Sequence, residues 1–260
     1  MGVNTKIEWC DMTFNPWHGC AKVSAGCKFC YAEIFTKRYA PEDNFWGVDG
    51  DRRFFNDQHW EQPMRWNRRA ERKGRRYRVF CGSMCDVFED REDLEFPRYR
   101  LFDLIFNTPH LDWLLLTKRP ENILDLLAGY ETPNKEHWTR YSNIWLGTSV
   151  ENQEQANLRI PELLKIPAKI HFLSCEPLID EVSLTTQIDS IDWVIVGGES
   201  GNVDKIRPMK DEWAESLIKE CKTANVLVFI KQLGTRRRLT GKGQHMNEWP
   251  KELRIREFPE

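Results

Sequence analysis

The feature that most restricts how this chain can fold is a rhythm. Short apolar runs at Lys6–Cys10, Arg78–Gly82, Asp112–Thr117, Asn143–Ser149, Lys169–Ser174, Asp192–Val196 and Val226–Lys231 recur with helix-patterned segments between them. Strands alternating with helices predict a parallel sheet joined by crossover helices. The helices are expected at Tyr31–Tyr39, Leu94–Phe106, Glu121–Leu127, Gln153–Leu164 and Lys210–Thr223; in the last, Trp213, Leu217, Ile218 and Cys221 fall at helical spacing and read as a buried stripe. Pro161 predicts a break in the fourth helix, and Thr185–Ser190 is too short for a full crossover helix. The class that follows is α/β, an open or partial parallel (β/α) barrel of about six to seven strands. A single domain over residues 1–260 is expected, with Pro41–Tyr77, too long for an ordinary loop, as an insertion over the barrel mouth or along its side.

Parallel α/β folds gather ligands at the carboxyl ends of their strands, because the loops there converge on one mouth. Every expected strand of this chain is followed by polar or otherwise special residues. Ser83-Met84-Cys85-Asp86 follows the second, Thr117-Lys118-Arg119 the third, and Thr148, Ser149, Glu151 and Asn152 the fourth. Ser174-Cys175-Glu176 follows the fifth, Gly197-Gly198-Glu199 the sixth and Lys231-Gln232 the seventh. Glu176, Glu199 and Lys231 end three successive strands and are expected to face one cavity, as catalytic groups or as a structural pair. Ser149 or Asn152 also suits an ordinary helix cap.

After the first expected strand come Cys20, Cys27 and Cys30, three thiols in one loop. Thiolates this close can converge on a soft metal centre. Three protein ligands leave an iron–sulfur cluster with one open position; zinc completed by Cys10 or His18, or a redox dithiol of Cys27 and Cys30, are the other readings of the cysteines. The eight cysteines do not read as a disulfide framework, which belongs to short secreted chains.

The C-x6-C-x2-C spacing, with Phe29 just before the last cysteine and Asn15-Pro16-Trp17-His18-Gly19 before the first, resembles a phage-associated radical S-adenosylmethionine (SAM)-like family of unassigned function, distantly similar to spore photoproduct lyase. The usual radical SAM pattern is C-x3-C-x-(aromatic)-C, so the first gap here is longer. The resemblance extends over nearly the whole chain and implies a barrel of the radical SAM type. It implies a 4Fe-4S cluster on Cys20, Cys27 and Cys30, and SAM bound beside Phe29. SAM contacts are then expected from Gly82 and Ser83, where the family often has a Gly-Gly-Glu-like segment but this chain lacks the glutamate. Further contacts are expected from Thr117 and from Thr148, Ser149, Glu151 and Asn152, which offer groups for a ribose diol and the methionine end, with Gly197 beside adenine. Cys85 or Cys175 would donate a hydrogen atom to a carbon radical, or would simply be small buried residues. An external electron donor such as a flavodoxin or ferredoxin is implied.

A net charge of −2 gives no global attraction to nucleic acid, so any such preference is local. Arg65–Arg78 holds eight basic residues and one acid, and Trp60, Trp66 and Tyr77 could stack on bases; Arg236-Arg237-Arg238 adds a second basic site. The expected partner is DNA or a nucleotide, and the family resemblance favours base modification, with phage DNA base isomerisation as the narrower form. The rival is a non-enzymatic nucleic-acid-binding protein with a structural zinc or iron–sulfur site. No apolar signal core and no membrane-length run stand in the sequence, so a cytoplasmic protein with no membrane partner is expected.

Overall fold

The computed structural model describes residues 5–128, 142–236 and 239–260. Seven strands form one parallel sheet: β1 (Met12–Phe14), β4 (Tyr77–Cys81), β5 (Leu111–Thr117), β6 (Ile144–Ser149), β7 (Ile170–Cys175), β8 (Trp193–Gly197) and β9 (Leu227–Gln232). They lie in that spatial order, with β1 and β9 at the two ends, which makes a curled half-barrel. A separate antiparallel pair, β2 (Trp17–His18) and β3 (Arg53–Phe54), stands outside the sheet.

Six of the seven expected strands are found within a residue at either end. The first differs: Lys6–Cys10 is a turn, and the edge strand is Met12–Phe14. Ile7, Trp9 and Cys10 fill the barrel interior instead of extending the sheet, and the Trp9 and Phe80 rings lie 4.5 Å apart. The helices are α1 (Tyr31–Tyr39), α2 (Asp57–Lys73), α3 (Glu95–Phe106), α4 (Ile123–Leu127), α5 (Gln153–Leu164) and α6 (Asp211–Thr223). Pro161 does not break α5. One missing backbone donor is offset by the packing of Ala156, Ile160 and Leu163, all fully buried. Between β7 and β8 there is no α-helix, only a short 3-10 turn at Ile188–Ser190.

The Pro41–Tyr77 segment supplies α2, which carries the chain from β1 across to its parallel neighbour β4. Asn56 caps α2 through Oδ1, which accepts from the His59 amide at 3.3 Å, and Gly74 ends it in the left-handed conformation. Trp60, Trp66 and Tyr77 are buried in the layer between helices and sheet. They are therefore core residues and not open surfaces for stacking bases. Around them, Arg65 pairs with Glu61, Arg75 and Arg78 with Asp11, and Arg76 with Asp112. Arg75 and Arg76 precede β4, at the amino-terminal end of the sheet and away from the mouth. In the second basic site Arg236 pairs with Asp211 at 2.6 Å, while Arg237 and Arg238 lie outside the described residues.

Two apolar clusters divide the core. The larger packs the helices against the outer sheet face; the smaller fills the barrel interior with Trp9, Phe80, Trp145, Phe172, Trp193 and Phe229. Because side chains alternate across a strand, Trp145, Phe172, Ile195 and Phe229 share the interior, and so do Ser149, Ser174 and Lys231 farther along the same strands. The barrel thus has an aromatic floor and a polar upper ring.

Candidate active site

A cavity of about 190 Å³ opens above that floor, at the carboxyl ends of the strands. Of the residues expected at a site, Cys20, Cys27, Cys30, Phe29, Gly82, Ser83, Cys85, Thr117, Ser149, Glu176, Glu199 and Lys231 line it. Thr148, Glu151, Asn152, Cys175 and Gly197 do not. Each of these five has another place. Thr148 and Cys175 are fully buried on the outer sheet face, one residue out of step with Ser149 and Ser174. The Thr148 hydroxyl donates to the Thr117 carbonyl at 3.0 Å. Asn152 is the cap of α5, its Oδ1 accepting from the Gln155 amide at 2.9 Å. Gly197 backs onto the Glu176 side chain, where a Cβ would stand 3.2 Å from Cγ.

Glu151 holds the cysteine loop from behind. Its Oε2 accepts from Arg159 Nη1 at 2.8 Å and its Oε1 from the Gly26 amide at 3.3 Å. A Cβ on Gly26 would meet the Glu151 carboxyl carbon at 2.9 Å, so this approach needs glycine. Burial alone would raise the Glu151 pKa; the charges of Arg159 and Lys118 outweigh it and hold the carboxyl below its ordinary value.

Other ties reach the loop from three strand ends. Arg119, after β5, donates to the Ala21 carbonyl at 2.8 Å, to Asp86 at 3.0 Å and to Cys20 Sγ at 3.5 Å. Glu89 accepts from the Ala21 amide at 3.1 Å and is paired with fully buried Arg52 at 2.7 Å. Arg52 also donates to the carbonyls of Phe45, Gly47, Gly50 and Asp51, which fastens the 45–51 turn under the loop. From beyond β8, Arg207 donates to the Ala25 carbonyl at 2.9 Å, pairs with Glu199, and lies 5.6 Å from the Phe29 ring centre. Glu199 is therefore committed to Arg207 even though it borders the cavity.

Within the cavity, Lys118 Nζ donates to Ser149 Oγ at 3.0 Å, and Lys231 Nζ is paired with Glu176 Oε1 at 2.5 Å. Gly82 takes a positive φ of 92°, which turns the chain sharply after β4. Asn15 fixes the turn that follows, donating to Ser83 Oγ at 3.0 Å and accepting from the Met84 amide at 2.7 Å. Tyr31, at the start of α1, donates its hydroxyl proton to the Ser83 carbonyl at 2.5 Å. Lys118 and Ser174 point inward by strand alternation, a cue available in the sequence once the inner register is known. The Arg52–Glu89 and Glu151–Gly26 ties have no such cue, because their partners are far apart along the chain.

All eight cysteines are free. Burial, with the Asp86 charge adding to it, pushes the Cys20 thiol up to about 12, so binding a metal there displaces a proton. Burial also pushes Cys85 well above its ordinary value. Among the described residues no three His, Cys, Asp or Glu side chains stand close enough to hold one metal ion. Cys20, Cys27 and Cys30 instead line one cavity. Three soft donors that share a cavity but not one ion suit a multinuclear group, whose ligands sit on different metal atoms, better than a single metal ion.

A family model described as "Protein of unknown function (DUF5131)" matches residues 4–256. No curated protein matches the sequence. Among solved structures, "Spore photoproduct lyase complexed with dinucleoside spore photoproduct" is similar at 11% identity with a TM-score of 0.48, over 84% of this chain and 65% of that one. The chain thus spans less than two thirds of that protein's length.

Proposed function

This chain belongs to the DUF5131 family, whose description names no reaction, and from its cavity we propose that it is a radical SAM enzyme acting on a nucleic-acid base or nucleotide. The observation that carries the reading is the set of three free thiols, Cys20, Cys27 and Cys30, around one cavity at the strand ends, with Lys118, Ser149 and the Glu176–Lys231 pair in the same walls. When bound, a 4Fe-4S cluster with SAM supplies one-electron cleavage of a carbon–sulfur bond, and hence a carbon radical, given an external donor such as a flavodoxin or ferredoxin.

The chain's own residues bind, orient and exclude water. Lys118, steadied by Ser149, offers an ammonium to a carboxylate, and Ser83 and Ser174 offer hydroxyls to polar groups beside it. Glu176 and Lys231 set an acceptor and a donor side by side on the substrate half, where they can grip a base edge or move a proton. Cys85, a thiol in the cavity wall, would give up a hydrogen atom to a carbon radical. Trp9 and Phe80 close the floor against water. Isomerisation of a DNA base is the narrower form of this reading, through the phage association of the family the sequence resembles.

Anaerobic reconstitution with ferrous iron and sulfide tests it. Iron and sulfide should be taken up, and with SAM and dithionite the protein should release 5′-deoxyadenosine. Iron-free protein that leaves SAM intact refutes the proposal.

A further inference from the structure

Five of the ten large hydrophobic side chains left exposed among the described residues, Val23, Tyr31, Ile34, Phe35 and Tyr39, belong to the cysteine loop and α1; the other five, Val48, Phe54, Phe96, Leu124 and Leu158, are scattered over other elements. Tyr31, Phe35 and Tyr39 recur every fourth residue and so form one stripe along the helix. They are 49%, 55% and 66% exposed, and the Phe35 and Tyr39 ring centres lie 4.6 Å apart. The stripe starts at the mouth, because Tyr31 lines the cavity, and runs outward from it. Exposed patches of this kind mark contact surfaces.

The charge around the stripe is positive. From Cys20 to Ala40 the four basic residues Lys22, Lys28, Lys37 and Arg38 face one acid, Glu33, a local net charge of +3 on a chain of net −2; Glu42 and Asp43, next along the chain, bring it to +1 over Cys20–Asp43. Glu33 is already engaged by Lys22 at 2.7 Å and Lys37 at 2.6 Å. The Arg38 guanidinium sits 5.6 Å from the Tyr39 ring centre. Open rings interleaved with cations suit bases and phosphates together. A second copy of this chain would bring like charge against like. The Arg65–Arg78 stretch lacks the combination, since Trp66 and Tyr77 are buried.

We propose that the exposed face of α1 receives the single-stranded segment of a nucleic-acid substrate. Its bases stack on Phe35 and Tyr39, its phosphates meet Lys37 and Arg38, and the next base is presented past Tyr31 to the cavity. A duplex hides its base faces, so an unpaired strand is the ligand. The inference rests on the proposed function and names where its substrate lands.

The test is fluorescence anisotropy of a labelled oligothymidylate of about twelve nucleotides, within the range of single-strand sites. Phe35→Ala and Tyr39→Ala should each weaken binding by about 5- to 100-fold with little change in salt dependence. Arg38→Gln should reduce the slope of log affinity against log salt by about 0.7. Phe96→Ala, 74% exposed on α3, should bind as wild type does. Absence of binding by the wild type, or undiminished binding by both aromatic variants, overturns the proposal. If those variants keep the oligonucleotide but lose reduction by flavodoxin, the face belongs to an acidic electron donor and the proposal is again wrong. Dithionite-driven 5′-deoxyadenosine release without oligonucleotide reports separately on the radical SAM reading.

Discussion

Replacing Glu151 with alanine should destabilise the protein by about 3 kcal/mol and release the cysteine loop, two effects with separate readouts. The Glu151 side chain is fully enclosed and bonds Arg159 at 2.8 Å. Truncation leaves the guanidinium buried without its counter-charge, a loss that typically costs about 3–5 kcal/mol. Arg159 keeps its bond to the Ser149 carbonyl at 2.8 Å, which places the expected loss at the lower end. In a protein of this size that lowers the thermal midpoint by about 6–12 °C. Adding Arg159→Met should recover part of the loss, because no unpaired charge then remains. The second effect comes from the Gly26 amide, which loses its acceptor between Cys20 and Cys27. Iron uptake on reconstitution should therefore fall at temperatures where the variant is still folded. Acid titration adds a sign. The Glu151 carboxyl is held below its ordinary value of 4.5 in the fold, so its contribution is complete above 4.5 and disappears as pH falls through the lower folded value. Glu151→Gln should accordingly flatten the acid limb of stability against pH. Urea and thermal unfolding with iron analysis decide the matter. A loss under about 1 kcal/mol together with full iron content would refute the bracing argument.

Three further outcomes are expected. Cys20→Ala, Cys27→Ala and Cys30→Ala should each abolish bound iron and visible absorbance, whereas Cys10→Ala, Cys175→Ala and Cys221→Ala should keep both, as read by iron analysis and absorption spectra. Trp66→Ala should lower unfolding free energy by about 3–5 kcal/mol in urea titration, with little effect on single-strand affinity in a variant kept folded, because the ring is core. His59 is stacked between Phe14 and Phe55, and burial lowers its pKa below the ordinary 6.5 despite its bond to the Asn15 carbonyl. The unfolded chain then takes up a proton first as pH drops below 6.5, so stability should decline there and decline less in His59→Gln, measured by urea midpoints across pH.

The sequence by itself determined the alternation of strands and helices, the end of the sheet where polar residues gather, and the three-cysteine loop at that end. These are local or periodic properties: an apolar run of strand length, a cap such as Asn152, a Gly74 stop. Even a helix with Pro161 inside it followed its apolar pattern. What only the tertiary structure decided is which residues share a face and which distant residues meet. A strand boundary misplaced by one residue exchanges inside for outside, and this is why Cys175 and Thr148 are in the outer layer while Ser174 and Ser149 line the cavity. Arg65–Arg78 reads as an open aromatic-basic surface until α2 packs on the sheet and buries Trp60 and Trp66; α1, unremarkable in hydropathy, is left with its aromatics outside. The ties from Arg119, Glu89, Glu151 and Arg207 to the cysteine loop join residues brought together by parallel crossovers. No local pattern records them, because a charge chooses its partner only after burial has removed water as the alternative.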